Sequence, residues 1–173
     1  MSYGIIFWGN SADNDDIFKL QKRAIRVKTN SSNRTSCRGL FKELGILPLC
    51  SQYILSLALF VVKNKDDFII NSDIHPYNTR SNNLHPSLTR LTKHQKGVYF
   101  SGIKVYNCLP IRIKQLSGDV NKFKLAFKKF LLAGSFYSIE EFLEWTTLRD
   151  LNALYSWRLL NWLDWVPYFT YFI

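Results

Sequence analysis

Hydrophobic and polar positions recur with helical spacing along most of the chain. Between Asn14 and Lys28, Ile17, Leu20, Ala24 and Val27 fall on one face. Lys19, Lys22, Arg23 and Arg26 fall on another, so the segment is predicted to be an amphipathic helix. Asp15 and Asp16 stand at its start, where negative charge complements the helix dipole. A polar loop from Thr29 to Ser36 leads into a short helix ending at Gly45, with Ser36 as its expected N-cap. Leu44 to Val62 then runs for 19 residues without a charge, interrupted by Pro48 and diluted by Ser51 and Gln52. Its strongly apolar part, Tyr53 to Val62, is shorter than a spanning helix requires. We read a buried helix opened by Pro48 and running to about Lys63.

Asn64 to Gln95 is rich in Asn, Ser, His, Pro and Asp and reads as a long central loop around His75-Pro-Tyr-Asn-Thr-Arg80. Beyond it, Val98, Ile103, Val105, Tyr106 and Leu109 favour a helix stopped by Pro110, although alternation in the same stretch also admits a strand. Phe123, Phe127, Phe130 and Leu131 form the core stripe of a helix from Val120 to Ala133, with Gly134 as its expected C-cap. Lys124 and Lys128 lie beside that stripe, and Lys122 and Lys129 opposite it. Ser138-Ile-Glu-Glu141 has the form of a capping box for one more short helix. The expected fold is therefore mainly α: a small helical domain with a long central loop.

Both ends differ from this body. The apolar run Tyr3-Gly-Ile-Ile-Phe-Trp-Gly9 has no upstream element to pack against, as if the chain were entered partway through a larger fold. Four of the five tryptophans lie from Trp145 onward, and the chain closes on Tyr168-Phe-Thr-Tyr-Phe-Ile173.

Composition adds a partner class. Hydrophobic residues make up 47% and aromatics 16%, which suffices for a packed core. The net charge of +10 favours a polyanion, either nucleic acid or an acidic membrane surface. Residues 1–137 carry 21 Lys/Arg and 8 Asp/Glu, a net of +13, while residues 138–173 carry a net of −3. The basic surface thus belongs to the first part.

Chemistry-bearing patterns are sparse. Asp15-Asp16 reads as a helix start and Asp66-Asp67 as a solvated turn, with no third carboxylate to complete a metal site. Cys37, Cys50, Cys108, His75, His85 and His94 lack the close pairs of zinc sites. Three widely spaced cysteines imply no disulfide framework, and Met1 to Gly9 lacks the form of a signal peptide. An intracellular protein of the nucleus or cytoplasm, not secreted, is expected. No phosphate-cradling loop, nucleophile elbow or HExxH helix occurs.

Six ordered strings carry a resemblance. They are Ser2-Tyr-Gly-Ile-Ile-Phe-Trp-Gly-Asn10, Leu20-Gln-Lys-Arg-Ala-Ile-Arg26 and Leu40-Phe-Lys-Glu-Leu-Gly-Ile-Leu-Pro48, followed by Tyr77-Asn-Thr-Arg80, Gly102-Ile-Lys-Val-Tyr-Asn107 with Leu109-Pro110, and Phe136-Tyr-Ser-Ile-Glu-Glu-Phe-Leu143. Together they resemble the thumb-side region downstream of the polymerase core in jockey-like non-LTR retrotransposon reverse transcriptases. The resemblance implies a division into residues 1–143, the reverse-transcriptase part, and residues 144–173, an aromatic tail of unknown origin. It also implies that the palm aspartates and the two divalent metals of nucleotide transfer lie upstream. The chain itself would then be a non-catalytic fragment without a cofactor. Its partners would be RNA and DNA, held without sequence preference, and the remainder of the polymerase.

Within that reading the stripe Lys19, Lys22, Arg23 and Arg26 is the leading candidate interface, since cations one turn apart can track a phosphate backbone. The plain alternative is a solvated helix face. Lys124 and Lys128 are further candidates, and Arg80 either contacts phosphate or orders its loop. Trp145, Trp157, Trp162 and Trp165 could stack on bases, but their local charge is negative; Leu151, Leu154, Leu159 and Leu160 point to packing or membrane contact instead. The competing reading is a membrane-associated or partner-binding helical protein that uses Tyr53–Val62 and the tail.

Overall fold

The helical periodicity is realised along nearly all of the chain that the computed structural model describes, residues 4–11, 13–74, 83–86 and 97–148. The N-terminal apolar run forms one helical turn, α1 (Ile5–Trp8). It is followed by α2 (Asn14–Lys28), α3 (Cys37–Glu43) and α4 (Leu49–Lys63). A short turn, α5 (Asn71–Ile74), precedes α6 (Val98–Asn107), α7 (Ile111–Lys114) and α8 (Val120–Gly134). A last helix, α9, is described over 139–148. Among the described residues the only β pairing is a single antiparallel bridge, Ile70 to Leu84.

The uncharged segment is the centre of the molecule. Tyr53, Ile54, Leu57, Ala58 and Val61 of α4 are buried, and even Ser51 is inside, donating its hydroxyl to the Phe136 carbonyl at 3.1 Å. Pro48 caps α4 from an extended conformation, as its fixed φ and missing N–H favour. Helix α6 lies directly on α4: a Cβ built on Gly102 would come within 2.9 Å of a Val61 methyl and 3.6 Å of the Leu57 carbonyl. Tyr99, at the start of α6, stacks on Phe68 just beyond the end of α4, with ring centroids 4.6 Å apart. Helix α8 brings Phe123, Phe127 and Leu131 to the same core, and α9 adds Phe142. Ile5 of α1 is buried there too, whereas Phe7 is 85% exposed, so the N-terminal apolar run is only half absorbed.

Two side-chain amides hold extended backbone in place. Gln21 of α2 donates to the Leu47 carbonyl at 3.0 Å and accepts from the Leu49 N–H at 2.9 Å, fastening α2 to the entrance of α4. Asn107, the last residue of α6, does the same to Leu84: it accepts from its N–H and donates to its carbonyl, both at 2.9 Å. Each amide acts as one rung of a neighbouring strand. Lys114 adds bonds to Asn83 at 3.0 Å and to the Asn107 carbonyl at 2.8 Å.

Two expectations are corrected. The buried side of α2 is Phe18, Gln21, Lys22 and Ile25, with Ile17 packed at its edge; Leu20, Ala24 and Val27 of the expected stripe face solvent, Leu20 56% and Val27 82% exposed. Phe18 meets the Tyr137 ring edge-on at 4.8 Å and Gln21 finds backbone partners, so these contacts set the helix rotation. Ser36 stands at the N-cap of α3 as expected, in an extended conformation and without a side-chain capping bond. The left-handed residue closing α8 is Ser135, at φ 50°, rather than Gly134. Gly134 is needed because the Phe136 ring lies where its Cβ would be. The described parts of the central segment hold a 3-10 turn at Lys65–Asp67, α5 and the clamped Leu84.

Replacing Asn107 with alanine leaves the buried Leu84 backbone without either partner. Asn107→Ala is expected to lower the unfolding free energy by about 2 kcal/mol in urea denaturation, and a change below about 0.5 kcal/mol would contradict the clamp.

Candidate nucleic-acid interface

The cations of α2 are differently employed. Lys19 is exposed and pairs with Asp16 one turn earlier at 2.8 Å, and that hydrogen-bonded pair raises the lysine's pKa and lowers the aspartate's. Lys22 is partly buried, its ammonium 4.5 Å from the Phe18 ring centroid and 5.9 Å from that of Tyr137. Arg26 donates Nε to the Thr35 carbonyl at 3.1 Å, tying down the loop after α2. Arg23 alone of the four is exposed with no ion pair or hydrogen bond to a described residue. The stripe exists as spacing, but half of it belongs to the fold. Arg80 lies outside the described residues.

Helix α8 is the reverse case. Its inner face is narrow, set by Phe123, Phe127 and Leu131 at i, i+4 and i+8. Lys122, Lys124, Lys128 and Lys129 are all exposed on the remaining surface. At 100° per residue, Lys124 and Lys128 border that outer face on one side and Lys122 and Lys129 on the other. Asn121, Leu125 and Leu132 lie between them, with Leu125 63% exposed. Among the described residues only Lys122 of these four has an acidic partner, Asp119 at 3.4 Å. The Asp119 carboxylate is already occupied by the Asn121 and Lys122 N–H groups, at 3.0 and 3.1 Å, as the helix N-cap. Lys122 and Lys129, which spacing set opposite the core stripe, and Lys124 and Lys128, which it set beside the stripe, are all exposed on one outward surface. The signal for this was the Phe123/Phe127/Leu131 spacing, which leaves the lysine-bearing side of the helix to solvent.

Between these helices lies a cluster that sequence spacing did not reveal. Tyr137 packs among Phe18 and Phe41, with the Arg38 guanidinium 4.5 Å from its ring centroid; burial raises its pKa. Arg38 pairs with Glu141, whose second oxygen accepts the Tyr137 N–H at 2.9 Å, while Ser138 accepts the Glu141 N–H at 3.0 Å. The capping box thus forms with its glutamate reaching one residue beyond the usual N-cap. Partial burial acts to raise the Glu141 pKa, but Arg38 and the backbone donors outweigh it and hold the carboxyl below its ordinary range. At the far end, Trp145 meets Phe130 and Phe136 edge-on at 5.1 and 5.2 Å, packing it in the body. Trp157, Trp162 and Trp165 lie outside the described residues.

No metal-binding arrangement assembles among the described residues. Asp66 and Asp67 are exposed in their 3-10 turn, and no group of three or more His, Cys, Asp or Glu side chains is placed to hold a metal. These residues do not fit a two-metal polymerase centre. Burial pushes the Cys50 thiol up to about 12, so it is a core thiol rather than a thiolate nucleophile. A groove lined by Gly4, Ile5, Ile6, Ser56, Leu59, Phe60 and Lys63 holds no acid–base pair. No described helix is long and apolar enough to cross a membrane. Comparison with protein-family models, with curated proteins and with solved structures finds no match to this chain.

Substitutions separate structural cations from free ones. Lys22→Ala is expected to cost about 1 kcal/mol of stability, through its aromatic contacts, while Arg23→Ala stays within about 0.5 kcal/mol. The lowered pKa of Glu141 makes its stabilisation complete above the ordinary glutamate range of about 4.3 and lost as pH falls through the lower folded value. The stability gap between the parent chain and Glu141→Gln should therefore shrink in that acid window, as read by thermal melts across pH.

Proposed function

We propose that the chain is the thumb-side, post-polymerase region of a jockey-like non-LTR retrotransposon reverse transcriptase. In this reading it helps hold RNA and DNA by sequence-independent backbone contacts and has no catalytic centre of its own. The observation that carries the binding role is the outward face of α8, where exposed lysines stand without acidic residues of the same helix to neutralise them. Arg23 of α2 is a second free cation.

What supports the origin is where the six strings fall. Gln21 belongs to the second string and clamps Leu47, in the third. Gly9, in the first string, and Gly102, in the fifth, both lie close against α4, and Asn107, in the fifth as well, clamps Leu84. Tyr137, Ser138 and Glu141 of the sixth build the cap and the ion pair to Arg38. Residues that join distant elements are the ones whose identity and spacing a shared fold would preserve. Of the two surfaces that the competing membrane reading uses, Tyr53–Val62 is largely core, and the tail beyond residue 148 lies outside the described residues.

Fluorescence anisotropy with labelled RNA and DNA of unrelated sequences tests the binding role. A few neutralised phosphates predict affinity falling about 10²-fold between 50 and 200 mM salt, with little sequence preference. Affinity indifferent to salt, or absent at low salt, would overturn the proposal.

A further inference from the structure

We infer that the outer face of α8 is built to enter the major groove of double-helical DNA and to grip the phosphates on both groove walls. This rests on the nucleic-acid reading above and narrows it to one ligand form and one helix.

The argument starts from the two lysine rows. A single strand presents one line of phosphates, which one row of cations can follow. Helix α8 instead has cations on both borders of its exposed face, Lys124 and Lys128 on one side and Lys122 and Lys129 on the other. Between them lie Asn121 and exposed Leu125, with no acid in the helix, while Leu132 on the same arc packs against the core. An α-helix with its side chains is about 10–12 Å across. The B-form major groove is about 12 Å wide and about 8.5 Å deep, so such a helix fits it, with side chains at the helix borders facing opposite walls. The A-form groove of duplex RNA is too narrow and deep to admit one. Lys122 and Lys124 lie near one end of the helix, and Lys128 and Lys129 about 9 Å further along at 1.5 Å per residue. That places one cation of each row at each level.

The central ridge fits a groove floor as well. The Asn121 amide can exchange hydrogen bonds with base edges, and Leu125 offers an apolar surface to thymine methyl groups. An acidic protein partner would meet the same charges but would not need cations on both borders of the exposed face.

Binding of the full chain to a DNA duplex, an RNA duplex, single-stranded DNA and anionic phospholipid vesicles decides the matter. Three double variants accompany it: Lys124→Gln/Lys128→Gln, Lys122→Gln/Lys129→Gln, and Lys42→Gln/Lys104→Gln as a charge-matched control on α3 and α6. All six lysines are exposed, so melting curves should agree across the variants. The DNA duplex should bind tightest. Each α8 double should weaken it by on the order of tenfold or more and lower the salt slope by about two, with the control close to the parent chain. Equal binding to duplex RNA or single strands, or α8 doubles that behave like the control, would overturn this inference and leave the general nucleic-acid reading standing. Failure to bind any polynucleotide at low salt would overturn both. Capture by anionic vesicles without DNA binding, lost in the α8 doubles, would assign the face to a membrane surface and overturn both as well.

Discussion

The burial of α4 is the constraint from which the rest of the arrangement follows. A helix with ten buried residues cannot stand at a surface, and each large apolar side chain withdrawn from water contributes about 1.5–3 kcal/mol. It must be covered on several sides by a chain of modest length. Gly102 allows α6 to lie against it at backbone distance, and Gly9 leaves room for the Tyr53 ring. Phe123, Phe127 and Leu131 bring α8 in from another direction, and the Phe136 carbonyl takes the otherwise stranded hydroxyl of Ser51. Gln21 holds the mouth of the helix, where Leu47 and Leu49 present backbone groups that the helix itself does not pair.

Function follows from which faces this packing leaves over. Helix α8 contributes a narrow aromatic stripe to the core, so its remaining surface, with four lysines, faces solvent. Helix α2 is held by its middle: Phe18, Gln21 and Lys22 turn inward, and Arg26 secures the following loop. Two helices of equal length and similar charge therefore differ in what they can offer a partner. A cation over an aromatic ring stabilises the fold and is slow to leave it. A lysine without an acidic neighbour is available to a phosphate, and the counterions released there drive association.

The helices themselves were legible because apolar spacing and punctuation agreed. Asn14–Lys28, the Pro48 start of α4 and the Val120 start of α8 all stand where periodicity and caps place them. The rotation of α2 was not legible, because Leu20, Ala24 and Val27 form as regular a stripe as the true one. Choosing between them required knowing that Tyr137, more than a hundred residues away, would meet Phe18. Gln21 and Asn107 were invisible as clamps for the same reason: an amide in a helix looks polar and exposed until its distant backbone partner is present. Of the candidate interface, residue types were legible and availability was not. Lys22 and Lys124 look alike in sequence, and only packing distinguishes them.

Lysine acetylation footprinting, read by mass spectrometry on the full chain with and without a DNA duplex, tests this account most directly. It predicts strong protection at Lys124, Lys128 and Lys129, lost at high salt, with Lys42 and Lys104 reacting equally in both states. Protection spread evenly over all exposed lysines, or confined to Lys19 on α2, would contradict it.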